Sequence, residues 1–190
     1  MTYSLDWLNN RIKEGEKVKY LFFWGHTQKS ANEIDASCLS QWYPAEFQEK
    51  GIIFRSAEHW MMYQKALLFN DSEIAQEIIQ CDSPGEAKKL GRKVSSFDQK
   101  KWEAKRFEIV VKGNQLKFSQ NPRLQEYLIK TKARVLVEAS PVDPIWGIGR
   151  SRNAMNVENP KNWRGLNLLG FALMEARDEI SQSTKNSVPL

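Results

Sequence analysis

Residues 54–69, FRSAEHWMMYQKALLF, constrain this chain more than any other stretch. Ser56 has the hydroxyl of an N-cap, able to accept an orphan backbone N–H of the first turn. Beyond it no glycine or proline interrupts the run, and Ala, Met, Leu, Gln and Lys all favour helix. At about 100° per residue, Ala57, Met61 and Leu68 fall on one side, Trp60 and Leu67 on a second, Met62 and Phe69 on a third. A helix apolar nearly all round belongs in a core. Yet Glu58, Met62, Lys65 and Phe69 share one stripe, so an acid and an amine point the same way. Two turns, about 10 Å, separate them. That is too far for a neighbour ion pair and far enough for a ligand to lie between. Burying either charge alone is costly. Two readings stay open: each charge is solvated or paired within a structural network, or both face something polar that binds over the stripe.

The rest of the chain is read around that helix. Residues 1–19 form a polar, partly helical lead-in. Leu21–Trp24 is a short buried strand ended by Gly25-His26-Thr27, and 27–41 is loop-like. Pro44 keeps Gln41–Pro44 out of a helix interior. Gly51–Phe54 is a strand feeding the central helix. Asp71 or Ser72 caps a helix carrying Ile74, Ile78 and Ile79. Ser83-Pro84-Gly85-Glu86 joins an N-cap, a first-turn proline and a capping-box acid, and Ala87, Leu90 and Val94 continue that helix. Asp98 caps a long helix with Trp102, Arg106, Ile109, Gly113 and Leu116 at helical spacing. Gly113 costs about 1 kcal/mol there against Ala, which marks a close approach of another backbone or a ligand. Asn121-Pro122 restarts a short helix with Leu124 and Leu128. Residues 133–139, ARVLVEA, read as a strand. Residues 141–149 make a rigid Pro/Gly loop, 150–162 an exposed polar loop, and Trp163–Ile180 a closing helix. Residues 181–190 read as a disordered tail. The class is mainly α with a few short strands (α+β), one domain spanning 20–180.

Composition narrows the functional classes. With 41% hydrophobic residues and 7 Trp in 190 residues, the chain has the apolar content for a single sizeable core. A net charge of +5 leans towards an anionic partner, without a basic tail to make it specific. The two cysteines, Cys38 and Cys81, fit a reducing compartment and match no metal-ligand spacing. No apolar run spans a bilayer, and the first residues lack a signal-peptide core. The expectation is a cytoplasmic protein with no membrane partner; oligomeric state is illegible.

No Walker loop, G-x-S-x-G, H-E-x-x-H or Cys/His cluster is present, so neither a metal nor a cofactor is expected. His59, just after the helix cap, reads as a packing or capping residue. What remains is carboxylates, amines and aromatics, a set suited to glycosidic cleavage through an oxocarbenium-like transition state or to base stacking. Core packing is the plain reading of Trp24 and Trp102. Trp146, between Pro144 and Gly147 in an irregular loop, reads as a platform. Lys112, Lys117 and Arg92 are phosphate candidates or solvated surface charges.

FFWGHT (22–27), FRSAEHWMMYQKALLF (54–69), KKLGRKV (88–94), the 98–102 segment, VVKGNQLKFSQNPRL (110–124), LVEASPVDPIWGIG (136–149) and NWRGLNLLGFALMEAR (162–177) together resemble the NADAR, or YbiA-like, family. The resemblance runs in order from about residue 20 to 180. It implies an N-glycosidase, acting either on phosphoribosylamino-pyrimidine intermediates of riboflavin synthesis or on ADP-ribosylated guanosine in nucleic acid. The implied partner is thus a phosphorylated small molecule or a modified nucleic acid; a non-catalytic ADP-ribose reader is the alternative. By the same resemblance Glu58, Lys65 and Asp143 are the catalytic positions. Phe23, Trp24, Gly25, His26, Trp102, Trp146, Gly147, Gly149 and Asn167 are expected to bind substrate. Both substrate types are glycosylamines, so Lys65 is read as a Schiff-base nucleophile and Glu58 as acid/base. At Glu58 burial would raise the pKa and the nearby helix N-terminus would lower it. One departure stands out: relatives often read S-N-F-Y-P where this chain has Ser40-Gln41-Trp42-Tyr43-Pro44, which bears on substrate identity more than on the reaction.

Overall fold

The computed structural model describes residues 1–30 and 32–186. In chain order the elements are α1 (Leu5–Lys13), β1 (Tyr20–Phe23), β2 (Phe47–Glu49), β3 (Ile52–Phe54), α2 (Ala57–Leu68), α3 (Ser72–Gln80), α4 (Pro84–Gly91), α5 (Gln99–Ser119), α6 (Pro122–Lys130), β4 (Val135–Glu138) and α7 (Leu168–Asn186). Short 3-10 turns occupy Ala36–Leu39 and Pro160–Asn162. The fold is mainly helical with few, short strands, as the patterning implies.

The capping residues are those the sequence marks. Ser56 Oγ accepts from the His59 N–H, Asp71 from Ile74, Ser83 from Glu86 and Asp98 from Lys101. Each satisfies one orphan donor of a first turn. The all-round apolar helix α2 is enclosed, with α3, α4 and α5 all packed against it. Helix α5 also lies along α7, and α7 covers β4. β1 and β4 pair in parallel, Phe23 opposite Glu138. Val135, Leu136 and Val137 are fully buried, the continuous apolar run of a strand covered on both faces. Leu8 of α1 is also fully buried in this core.

Several expectations need correction. β2 was illegible; it pairs antiparallel with β3 through a tight turn at Lys50-Gly51. Helix α4 stops at Gly91, so Val94 lies beyond it; the Arg92 and Lys93 N–H groups bond to carbonyls three residues back, closing the helix. Helix α7 starts at Leu168, not Trp163, because Asn167 has φ +54°. It continues to Asn186 across the first residues read as a tail; 187–190 lie outside the described residues. Within 150–162, Val157 and Pro160 are buried, and Trp163 Nε1 donates to the Val157 carbonyl. Gly113 faces neither a backbone nor a ligand: a Cβ there would lie 2.3 Å from Trp60 Cδ1. The Trp60 indole needs that space, and its Nε1 donates to Ile109 O.

Candidate active site

A cavity of about 260 Å³ opens where α2, α4, the start of α5, the end of β4, the 143–146 loop and the 40–42 segment meet. From α2 both Glu58 and Lys65 line it, with Met61 and Met62 between them. The acid and the amine therefore do face one space, as their shared stripe suggests.

Glu58 is 2% exposed and its Oε1 has no hydrogen-bond partner among the described residues. Burial pushes its pKa up to about 7; Lys88, the Trp42 side chain and Arg92 pull the other way, and Asp143 adds to the rise. Desolvation is the largest of these causes. The Glu58 N–H itself is held by the Gln41 carbonyl. Gln41 also donates from its side chain to Asn114 on α5. The 40–42 segment is thereby tied into the cavity wall beside Glu58.

Lys65 Nζ donates to the carbonyl of Gly91, the last residue of α4, at 2.7 Å. That carbonyl is one of the orphan acceptors at a helix C-terminus, where an ammonium is favoured. The amine also lies 4.3 Å from the Phe97 ring centroid and 5.8 Å from that of Trp102. Among the described residues no carboxylate forms an ion pair with it, and burial lowers its pKa. A partly desolvated amine of this kind is more often neutral, hence more nucleophilic, than an exposed lysine.

Asp143 lines the same cavity. Its Oδ1 accepts from the Ile145 and Trp146 N–H groups at 2.9 and 2.8 Å, a local turn that turns Trp146 towards the cavity. Trp102 and Trp146 both line the wall. Trp102 stands in the first turn of α5, where Asp98 caps the helix.

The other expected positions divide. Phe23 is buried in the core and does not line the cavity; its carbonyl accepts from Ala139. Trp24 is 60% exposed, so neither core packing nor cavity lining describes it. Gly25 is exposed at φ +83°. His26 stands at the rim, its ring 5.6 Å from that of Trp42. Gly147 and Gly149 support the loop: a Cβ on Gly147 would lie 2.8 Å from the Glu138 carbonyl, and Gly149 has φ +62°. Asn167 is fully buried and clamps β4, its Nδ2 donating to Leu136 O and its Oδ1 accepting from Glu138 N. Lys117 is no surface charge. It is fully buried, donates to Cys38 O and Ser40 O, and has its pKa lowered by burial to about 7. It pins the segment leading to Gln41. Lys112 pairs with Glu49. Arg92 lines the cavity, with Lys88, which the motif reading left out. His59 is a capping residue, its Nδ1 2.8 Å from Ser56 Oγ and its Nε2 3.3 Å from Cys81 O.

One acid of the cavity was missed. Glu138, the last residue of β4, lines the cavity with its Oε2 buried and unpartnered among the described residues. Burial, then Asp143 and Glu58, push its pKa up to about 8. An acid ending an apolar strand, VLVE, was the available signal.

Two carboxyl groups whose pKa values burial raises to about 7 and about 8, a partly desolvated amine and tryptophan walls suit acid–base and amine chemistry on a small polar molecule. Residues 22–181 match the NADAR domain, and the chain belongs to that family. It is 43% identical to N-glycosidase R617 of Acanthamoeba polyphaga mimivirus over 173 residues, 88% of this chain and 99% of that protein. It is 38% identical over 112 residues, 57% of this chain and 16% of that one, to the chloroplastic riboflavin biosynthesis protein PYRR of Zea mays. The fold is similar to the NMR structure of Escherichia coli YbiA, with TM-score 0.70, 24% identity and 91% and 92% of the two chains covered. No helix among the described residues is long and apolar enough to cross a membrane.

Proposed function

We propose that this chain hydrolyses the bond between ribose and an exocyclic amine of a guanine-derived base, with Glu58 as acid/base and Lys65 as the covalent amine. The coarser statement, a hydrolase acting on N-glycosyl bonds, follows from family membership and from the 43% identity to an N-glycosidase. The observation that carries the finer reading is the convergence of Glu58 and Lys65 on one cavity without pairing to each other.

In a glycosylamine the exocyclic nitrogen lone pair expels the ribose ring oxygen, giving an imine at C1′. That oxygen needs a proton as it leaves, and Glu58, protonated to a large extent at pH 7, can supply it. Neutral Lys65 adds to C1′, the base departs as a free amine, and the sugar stays on Nζ as a Schiff base until water releases it. Asp143 and the two tryptophans orient the ribose and the base.

The substrate we favour is a ribosylaminopyrimidine phosphate. The cavity is small, and Lys88 and Arg92 on its wall suit a single phosphate. Similarity to a protein named for riboflavin biosynthesis supports the same choice. An ADP-ribosylated guanosine is the second reading, favoured by the exposed Trp24 and the net charge of +5. Offering both substrates side by side, with mass spectrometry of the products, separates them. Release of the free amino base from either supports the glycosylamine reading, and release from neither overturns it. Borohydride added during turnover should leave the sugar mass on the Lys65 peptide; its absence there argues for direct attack by water.

A further inference from the structure

Glu138 enters no step above, yet like Glu58 it holds a buried carboxyl oxygen without a partner among the described residues. It ends β4 behind Val135–Val137, all fully buried. Its backbone is fixed on every side: paired with Phe23 of β1, its N–H on Asn167 Oδ1, and its carbonyl accepting from Ile148 N at 2.9 Å. The carboxyl end is left facing the cavity with Oε2 buried and unpartnered. The charged groups that bear on it are Asp143 from the loop, Glu58 from α2 and Lys88 from α4; two of the three are acids. No basic side chain forms an ion pair with it among the described residues. Burying such a group costs stability that a leucine would not. A scaffold that immobilises the backbone and leaves the acid unsatisfied fits a group held for a ligand.

We propose that Glu138 is a second catalytic carboxyl group of this cavity, giving its proton to the departing base amine while Glu58 serves the ribose ring oxygen. The proposal rests on the glycosylamine reading. After Lys65 adds, C1′ carries two amines, and they must stand on different sides of that carbon. Lys65 occupies the α2 wall, and Glu138 comes from the β4 wall. Addition leaves an extra proton on Lys65 Nζ, which passes to the Glu58 carboxylate; the C1′–N bond to the base then breaks with its electron pair going to nitrogen, which takes the Glu138 proton. The base leaves as a neutral amine, C1′ becomes a protonated Schiff base on Lys65, and Glu138 becomes a carboxylate. That carboxylate then takes a proton from the water that adds to C1′. The acid is restored, and the sugar leaves Lys65 as an aldehyde. A single carboxyl group would have to reach the ring oxygen, Nζ and the departing amine in turn; Glu58 on α2 and Glu138 on β4, two walls of one cavity, divide these transfers.

The test compares the full-length chain with Glu138→Gln on two substrates. One is a ribosylaminopyrimidine phosphate. The other is a ribosyl phosphate of an aliphatic amine, whose nitrogen is basic enough to take its proton from solvent. Glu138→Gln should melt no lower than the parent at pH 8 and lose at least about 100-fold in kcat on the pyrimidine. It should also retain most activity on the aliphatic amine. A structural role would lower both substrates equally and lower the melting temperature, and that result overturns the proposal. So does a Glu138→Gln protein with the parental rate and pH profile on the pyrimidine, with the glycosylamine reading left standing. Should Glu138→Gln fail to fold, Glu138→Asp should show the same leaving-group dependence in milder form, and equal losses on both substrates count against the idea. If the parent cleaves neither substrate, the glycosylamine reading falls and this proposal with it.

Discussion

Glu58→Gln should make the protein more stable at alkaline pH while abolishing turnover. The Glu58 carboxyl has its pKa raised from 4.5 to about 7 on folding. The folded state therefore binds the proton more tightly than the unfolded chain. The stability this group contributes is intact below about pH 4.5 and is lost as pH rises towards 7. The loss is about 1 kcal/mol at pH 5 and about 3 kcal/mol at pH 8, a swing of about 2 kcal/mol. Glutamine does not titrate, and an unsatisfied buried amide costs about 1–3 kcal/mol equally at both pH values. The difference in stability between variant and parent should then move by about 2 kcal/mol in the variant's favour from pH 5 to pH 8. For a chain of this length that is about 4–8 °C in relative melting temperature. Thermal melts of both proteins at both pH values read it directly, and Glu138, present in both, cancels to first order. A melting difference constant across the two pH values would refute the reasoning, because it would mean a carboxyl group that is solvated or paired. Turnover in the variant should fall at least about 100-fold, since the amide neither donates nor takes the proton.

Lys65→Met should leave the fold intact and remove both turnover and borohydride trapping; a near-normal rate would exclude the covalent route. Gly113→Ala should destabilise the protein by about 1–3 kcal/mol in denaturant titrations, because the added Cβ meets Trp60 at 2.3 Å. That outweighs the helix-propensity gain of about 1 kcal/mol, and KM should stay unchanged because Trp60 lies outside the cavity. Asn167→Ala removes both side-chain bonds to β4 and should cost about 2–3 kcal/mol in stability. It should also raise KM by loosening the strand that carries Glu138, an effect absent if that strand is irrelevant to the site.

The helices were legible because their signals are local. Caps at Ser56, Asp71, Ser83 and Asp98 and the apolar periodicity after each are properties of neighbouring residues, and the structure keeps them. So was the convergence of Glu58 and Lys65, since residues seven apart on one helix must share a face. The errors have a common cause. The end of α4 at Gly91, the late start of α7 and the β2–β3 hairpin involve partners distant in the chain: Lys65 on the Gly91 carbonyl, Leu136 and Glu138 on Asn167, and Gln120 on Gln48. Lys117 looked like surface charge because sequence gives no sign of carbonyls offered by residues 38 and 40.

The sequence by itself thus settled the class of fold, the caps and the orientation of the central helix, because backbone propensity and helical period act over a few residues. Only the tertiary structure decided that burial outweighs the cations near Glu58, that Lys65 rests on a helix-end carbonyl, and that Glu138 completes the cavity. Desolvation depends on what packs around a group, and the walls around these three side chains come from segments as far apart in the chain as residues 40 and 169.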